Sequence, residues 1–207
     1  MARNGRKPEK SPSFERVDAC IRDLQDRHDY WHNITRSRAT REAAMAGLVG
    51  ELQAGHLPFD DLDIRCFTIF ALSGASIKKG NPKEARLAYR AIGLLLLTLD
   101  DGSAGPLLDV AFPALSKAIQ AAHDDALVVA AIDCLAAASF TGARNAEAAQ
   151  RSMEAIWHVV VPRMRSRSAK PKRSPMVLVA AVSAWTFLLT TTVVSATTRR
   201  KKADHNG

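Results

Sequence analysis

The residues of this chain that could do chemistry are a histidine pair and several adjacent carboxylates. His28 and His32 are four residues apart, a spacing that places both imidazoles on one helix face and can hold a metal ion. No third ligand follows nearby, so a pair of polar surface residues is the favoured interpretation. The carboxylate pairs fall at predicted helix starts or bends, where they can cap free backbone amides. They are Asp60–Asp61, Asp100–Asp101 and Asp124–Asp125.

Sequence motifs of enzymes are missing. The chain contains no nucleophile elbow, no phosphate-binding loop and no zinc deaminase signature. We therefore predict that the protein is not an enzyme and has no catalytic residues, no metal site, no cofactor and no small-molecule substrate.

The three cysteines are odd in number and far apart. Cys20, Cys66 and Cys134 each lie in an apolar helical context. They are typical of reduced core residues and do not suggest a disulfide framework or a zinc site. This use of cysteine favours a nuclear or cytoplasmic location, or both.

Basic residues form the most distinctive charged pattern. Lys79, Lys83, Arg86 and Arg90 recur at steps of four, three and four, so a helix would carry them on one stripe. We name these four residues the basic ridge. Like charges this close repel each other unless an anion approaches, which makes the ridge a candidate site for RNA, the DNA backbone or an acidic peptide. A solvated face, with Glu84 nearby, is the alternative and is slightly favoured.

The basic excess of the chain lies outside its centre. The net charge is +8, yet residues 42–161 carry 9 basic and 14 acidic side chains, whereas 162–175 carry 6 basic and no acidic ones. Dense basic runs are typical of nuclear-import signals and of polyanion-binding tails, although a solvated tail is an equal alternative. The candidate residues are Arg163, Arg165, Arg167, Lys170, Lys172, Arg173, Arg199, Arg200, Lys201 and Lys202.

A helix must position the basic ridge, and residues 81–99 have every signal of one. Asn81 can cap the first turn, Pro82 suits the first helical position, and Glu84 completes a capping-box-like arrangement. An apolar stripe then recurs every three or four residues and must be buried. The stripe consists of Ala85, Ala88, Ile92, Leu95, Leu96 and Leu99.

The rest of the chain repeats this plan, which predicts an all-α fold. Strand signals are scarce, alanine-rich helical segments dominate, and only 6% of residues are aromatic. Further helices are predicted from about Ser13 to Trp31, Thr40 to Gly55, Asp61 to Ile77, Pro106 to Ala121, Asp124 to Phe140 and Asn145 to Val161.

A pattern of small, two variable, small and large residues occurs four times along the chain. Its large residues are 44, 43 and 50 positions apart, a period typical of a HEAT or armadillo-like α-solenoid of helix pairs. The helix at 81–99 would then be the first of its pair. A four-helix or larger bundle is the alternative. The copies are Ala44, Gly47, Leu48; Ala88, Ala91, Ile92; Ala131, Cys134, Leu135; and Ala181, Ala184, Trp185.

Composition divides the chain into five predicted parts. A disordered basic N-terminus precedes a helical-repeat domain, which is followed by a basic linker, one more repeat helix and a basic tail. Their ranges are 1–12, 13–161, 162–175, 176–194 and 195–207.

Several motifs resemble a known family. They are RATREAAMAGLVGEL, SIKKGNPKEARLAYRAIGLLLLTLDDG, ALVVAAIDCLAAASFTG and SAWTFLLT. Together they look like the N-terminal helical-repeat domain of the interferon-related developmental regulators, in a version similar to plant members, over about residues 14–192. The resemblance implies a regulator without catalytic activity that acts in transcriptional co-regulation or binds ribosomes. Family members usually continue into a further C-terminal region, which we expect this chain to lack.

Two classes of function follow. The favoured class is an adaptor that contacts protein partners of a regulatory complex and, through its basic flanks, RNA or the ribosome. The alternative is a tail-anchored membrane protein that spans the bilayer at about 176–196, because residues 174–198 carry no charge and have basic residues on both sides. Six hydroxyl side chains within this run favour the first class.

Overall fold

Regular structure in this chain is helical wherever the structure describes it. The computed structural model describes residues 12–25, 34–55, 57, 59–99, 101–143, 145–160 and 173–205. These residues form eight helices and no strand, which confirms the predicted all-α class. The helices are α1 (Pro12–Gln25), α2 (Ile34–Ala54), α3 (Phe59–Lys79), α4 (Pro82–Thr98), α5 (Asp101–Ala121), α6 (Asp125–Gly142), α7 (Ala146–Trp157) and α8 (Pro175–His205).

The helices pack in pairs and in series. Each even-numbered helix contacts the helix before it, and α2, α4, α6 and α8 also contact one another in that order. This arrangement is consistent with an α-solenoid. In these contacts α4 belongs with α3, whereas the sequence led us to expect that α4 would open its own pair. The reason is that α4 packs extensively on α3 and only slightly on α5.

The apolar stripe predicted on α4 is buried. Leu95 and Leu96 have no exposed surface, and the other members of the stripe are at most 6% exposed. They belong to one core that also receives side chains from the helices on either side. Each buried leucine contributes about 1.5–3 kcal/mol relative to an exposed one, so this stripe fixes which side of α4 faces the protein.

The four copies of the small-and-large pattern lie on the helices that pack in series, α2, α4, α6 and α8. Almost all of their residues are buried, but Gly47 is exposed and Trp185 is half-buried. The indole of Trp185 packs on that of Trp157, with ring centroids 5.2 Å apart. The large residue of the last copy therefore fills the space between α7 and α8, as the pattern predicts.

Three predicted helix caps are confirmed. The side chain of Asn81 caps α4, Asp124 Oδ1 accepts a hydrogen bond from the Ala126 amide at 2.8 Å, and Asn145 Oδ1 accepts one from the Ala148 amide at 2.8 Å. These side chains supply acceptors that the first turn of a helix lacks.

Two helices begin earlier than the sequence predicts. α2 begins at Ile34 and not near Thr40, and α5 begins at Asp101 and not at Pro106. Pro106 and Pro113 both lie inside α5, where a proline removes one amide donor. Both prolines are exposed, so water can replace the missing donors and the helix continues through them.

The last helix packs on α6 and α7 and is not cut at the predicted boundary at residue 194. It continues to His205. Two described segments are long and apolar enough to cross a membrane: Asp125–Gly142, of which 50% is buried, and Pro175–Thr192, of which 22% is buried. The residues of α8 buried in the core are Val177, Ala181, Ala184 and Leu188.

Candidate functional site

A groove with a volume of about 560 Å³ lies between α4 and α6. It is the place where the predicted basic ridge meets apolar surface. We call it the α4–α6 groove. Its lining consists of Lys83, Arg86, Leu87, Tyr89, Arg90, Gly93, Leu94, Leu97, Ala130, Asp133, Cys134 and Ala137.

The start of α4 sets the register of the groove's cations. Asn81 Oδ1 accepts hydrogen bonds from the amides of Lys83 at 2.9 Å and Glu84 at 3.0 Å. From this fixed start, the helical period turns Arg86 and Arg90 to the exposed side that faces the groove, while the leucine stripe turns inward. The same local signals thus determine both the buried face and the charged face.

The structure places three of the four ridge residues on the groove and separates the fourth. Lys79 lies in the last turn of α3, because the chain leaves the helix at Gly80 before Asn81 starts α4. The predicted spacing of a single continuous helix therefore does not apply to Lys79. Sequence reasoning missed this break because lysines precede and follow it at helical intervals.

The three remaining cations are not equivalent. Lys83 Nζ lies 3.0 Å from a Glu42 carboxylate oxygen. This contact and a hydrogen bond from Asn81 lower the pKa of Glu42. Arg86 and Arg90 are exposed and form no ion pair with any described residue. The two arginines are thus the cations of the groove that are available to an outside anion.

Small residues form the floor of the groove. A Cβ atom on Gly93 would lie 3.5 Å from Cys134 Cα and 3.6 Å from Ala137 Cβ, so α4 and α6 approach closely there. Ala130 and Ala137 are half-buried on the α6 side. Leu97, at 44% exposed, stands at one edge. The floor is therefore apolar and open enough to accept side chains from another molecule.

Burial suppresses charge on the titratable groups at the base of the groove. It raises the pKa of the Cys134 thiol to about 12, so this thiol stays protonated and is a poor nucleophile. Burial also raises the pKa of the Asp133 carboxyl and of the Tyr89 phenol. The lining thus provides binding surface and no pair of nucleophile and base.

A polar network that sequence reasoning missed holds the start of α4 in place. Arg41 Nε donates to Glu84 Oε1 at 3.0 Å, and the Glu84 residue is only 1% exposed. Arg41 also donates to the Leu24 carbonyl at 2.8 Å and to the Ser76 hydroxyl at 3.0 Å. One guanidinium on α2 therefore joins α1, α3 and α4. Glu84 faces this arginine and does not close the predicted capping box onto the amide of Asn81.

One residue of the predicted basic flank is bound within the protein. Arg173 donates to the carbonyls of Ala122 at 2.6 Å, Gln120 at 3.0 Å and Ile119 at 3.2 Å, and lies 3.8 Å from the carboxylate of Asp125. The last carbonyls of a helix lack intrahelical donors, and Arg173 supplies them at the end of α5. Its role is therefore structural. Arg199, Arg200, Lys201 and Lys202 belong to α8, while Arg163, Arg165, Arg167, Lys170 and Lys172 lie outside the described residues.

The other candidates for chemistry do not converge. His28 and His32 lie outside the described residues, and no group of three metal-ligating side chains occurs among those that are described. Cys20, Cys66 and Cys134 are free thiols, the last two buried, as predicted. Of the remaining carboxylates, Asp60 and Asp61 lie in the first turn of α3, Asp101 begins α5, and Asp100 is not described.

Fold and groove together define the class of protein: an all-α protein of packed helix pairs, with a binding groove between two helices of the inner series. The family can be stated more closely. The chain belongs to the interferon-related developmental regulator (IFRD) family, whose family model matches residues 6–206, nearly the whole chain. The resemblance found in the motifs is thereby confirmed. No curated protein and no solved structure is significantly similar to the chain.

Proposed function

We propose that this IFRD family protein is a non-enzymatic adaptor, built as a HEAT or armadillo-like α-solenoid, that acts in transcriptional co-regulation or in translation control. The observation that carries the proposal is the α4–α6 groove, where two unpaired arginines lie beside an exposed apolar floor. Such a mixed surface suits recognition of another macromolecule. The serial packing of α2, α4, α6 and α8 supports the solenoid, whose exposed helices present binding surfaces of this kind.

Protein partners of a regulatory complex are the expected ligands of the helical part. The basic flanks give a second contact, to RNA or the ribosome, because dense lysine and arginine runs attract phosphate chains. We place the protein in the nucleus, the cytoplasm or both, in accordance with its free thiols. Arg173 is not counted among the contacts with nucleic acid, since its guanidinium is bound to the end of α5.

The test is affinity purification of the full chain from cells, with and without nuclease treatment. Partners that persist after nuclease treatment support an adaptor that acts through protein contacts. Loss of every partner after nuclease treatment would mean that RNA or DNA is the tether, and the adaptor proposal would fail.

Membrane anchoring through α8 is the second candidate, favoured by the apolar segment Pro175–Thr192 and its low burial. Against it, four apolar side chains of α8 are buried on α6 and α7, so insertion would remove part of the core. An alkaline carbonate wash of cell membranes separates the two. An adaptor is released into the supernatant, and a protein anchored by α8 remains in the pellet.

A further inference from the structure

The geometry of the α4–α6 groove points to one kind of occupant: an amphipathic helical segment of a partner protein that carries acidic residues beside apolar ones. This inference rests on the proposed adaptor function and specifies the chemistry of its partner. Groove-bound helices are a recurrent mode of peptide recognition, in which apolar side chains one turn apart anchor the segment. The charges, the floor and the size of the groove each bear on this choice.

Charge selects an acidic partner. Arg86 and Arg90 are one helical turn apart, are exposed, and have no acidic partner among the described residues. Their guanidinium groups can each bind a carboxylate with two parallel hydrogen bonds. Acidic residues three or four positions apart on a partner helix have the matching separation. Lys83 contributes less, since Glu42 already neutralises it.

The floor selects a partner with apolar side chains. Gly93, Ala130 and Ala137 leave space where larger residues would fill it, and Leu94 and Leu97 flank that space. A volume of about 560 Å³ accommodates a few leucine-sized side chains. Covering Leu97 removes apolar area from water, which favours association.

The same features disfavour a phosphate backbone as the occupant. Nucleic acids bind through many cations in sequence, whereas this groove offers only two arginines that are not already paired. An apolar floor gives a phosphate chain nothing to contact. Asp133 also lines the groove and would repel a continuous polyanion, while a helix can turn a neutral side chain toward it.

The experiment uses the full chain and a display library of helical peptides of about 16 residues, roughly four helical turns. Enrichment of sequences that combine Asp or Glu with Leu, Ile or Phe is expected on the wild type. Arg86→Glu/Arg90→Glu should weaken the enriched peptides by at least about tenfold, measured by fluorescence anisotropy. Lys78→Glu/Lys117→Glu, which makes the same charge change on exposed lysines of α3 and α5, should alter affinity less than about twofold.

Two further variants separate the apolar and acidic contributions. Leu97→Ser should weaken binding several-fold, about three to ten times, whereas Val110→Ser, on an equally exposed apolar residue of α5, should leave it unchanged. Asp133→Asn should strengthen binding, because it removes the one carboxylate that faces the acidic peptide. Thermal melts establish that each variant is folded. Should the charge reversal unfold, Arg86→Gln/Arg90→Gln provides the same test with a smaller change.

Several outcomes would overturn the inference. They are a library that yields neutral or basic peptides, acidic peptides that bind the charge-reversed variant as well as the wild type, and a single-stranded RNA that displaces the peptide and loses affinity for the same variant. Failure of the adaptor function looks different. If nuclease-resistant partners bind the wild type and Arg86→Glu/Arg90→Glu equally, the adaptor function stands and the groove is not its site.

Discussion

The Arg41–Glu84 ion pair gives the sharpest prediction about stability. Arg41→Met leaves the Glu84 carboxylate, which is 1% exposed, without its cation. It also removes the donors to the Leu24 carbonyl and the Ser76 hydroxyl. Removing one partner of a buried pair costs about 3–5 kcal/mol. For a chain of this length, that loss lowers the melting temperature by roughly 10 °C or more.

The magnitude depends on the uncompensated charge and not on the number of contacts. The double variant Arg41→Met/Glu84→Met removes that charge, so it should be less destabilised than Arg41→Met alone by about 1–3 kcal/mol. Lys83→Ala provides the exposed control. It breaks the ion pair with Glu42 at a lysine whose side chain is 68% exposed, and should cost less than about 1 kcal/mol.

Urea unfolding followed by far-UV circular dichroism measures all three variants against the wild type. The reasoning is refuted if Arg41→Met costs no more than Lys83→Ala. It is equally refuted if the double variant is the less stable of the two methionine variants, since the hydrogen bonds to α1 and α3 would then outweigh the buried charge.

Three other predictions concern packing, pH and thiol reactivity. Gly142→Ala should destabilise by about 1–3 kcal/mol, because its Cβ would lie 2.9 Å from the Ala104 carbonyl oxygen, whereas Gly50→Ala meets no atom within 4 Å and should stabilise α2 by about 0.5–1 kcal/mol in the same melts. Burial raises the pKa of Asp133, so the wild type loses stability as pH rises above about 4, and the advantage of Asp133→Asn should grow from pH 4 to 7; a constant difference would contradict this. Half-buried Cys20 should react with a thiol reagent before fully buried Cys134, which should react only on unfolding, as mass spectrometry of the labelled peptides would reveal.

Local sequence signals account for the parts of the fold that were predicted. The cap at Asn81, the proline after it and the apolar stripe all act within α4, so their consequences could be derived without knowing the rest of the protein. The all-α class follows in the same way. The early start of α5 was missed because a proline normally ends or begins a helix, and only its exposure explains why it is tolerated inside one.

Contacts between distant residues could not be derived in this way. Arg41 and Glu84 are 43 residues apart, and nothing in either segment indicates that the two side chains meet. The groove has the same property. The ridge of α4 was visible in the sequence, but the alanines and Asp133 of α6 that complete the lining depend on how closely the two helices pack.

Basic residues illustrate why charge density alone does not identify a binding site. Arg173 belongs to a dense basic run, yet its guanidinium is bound to three carbonyls of α5. Arg86 and Arg90 belong to a sparser pattern and have no ion-pair partner in the described part of the chain. An arginine that already has acceptors must give them up before it can bind a ligand, so its net gain is small. The unpaired arginines beside an apolar floor are therefore the residues from which we expect most of the binding free energy.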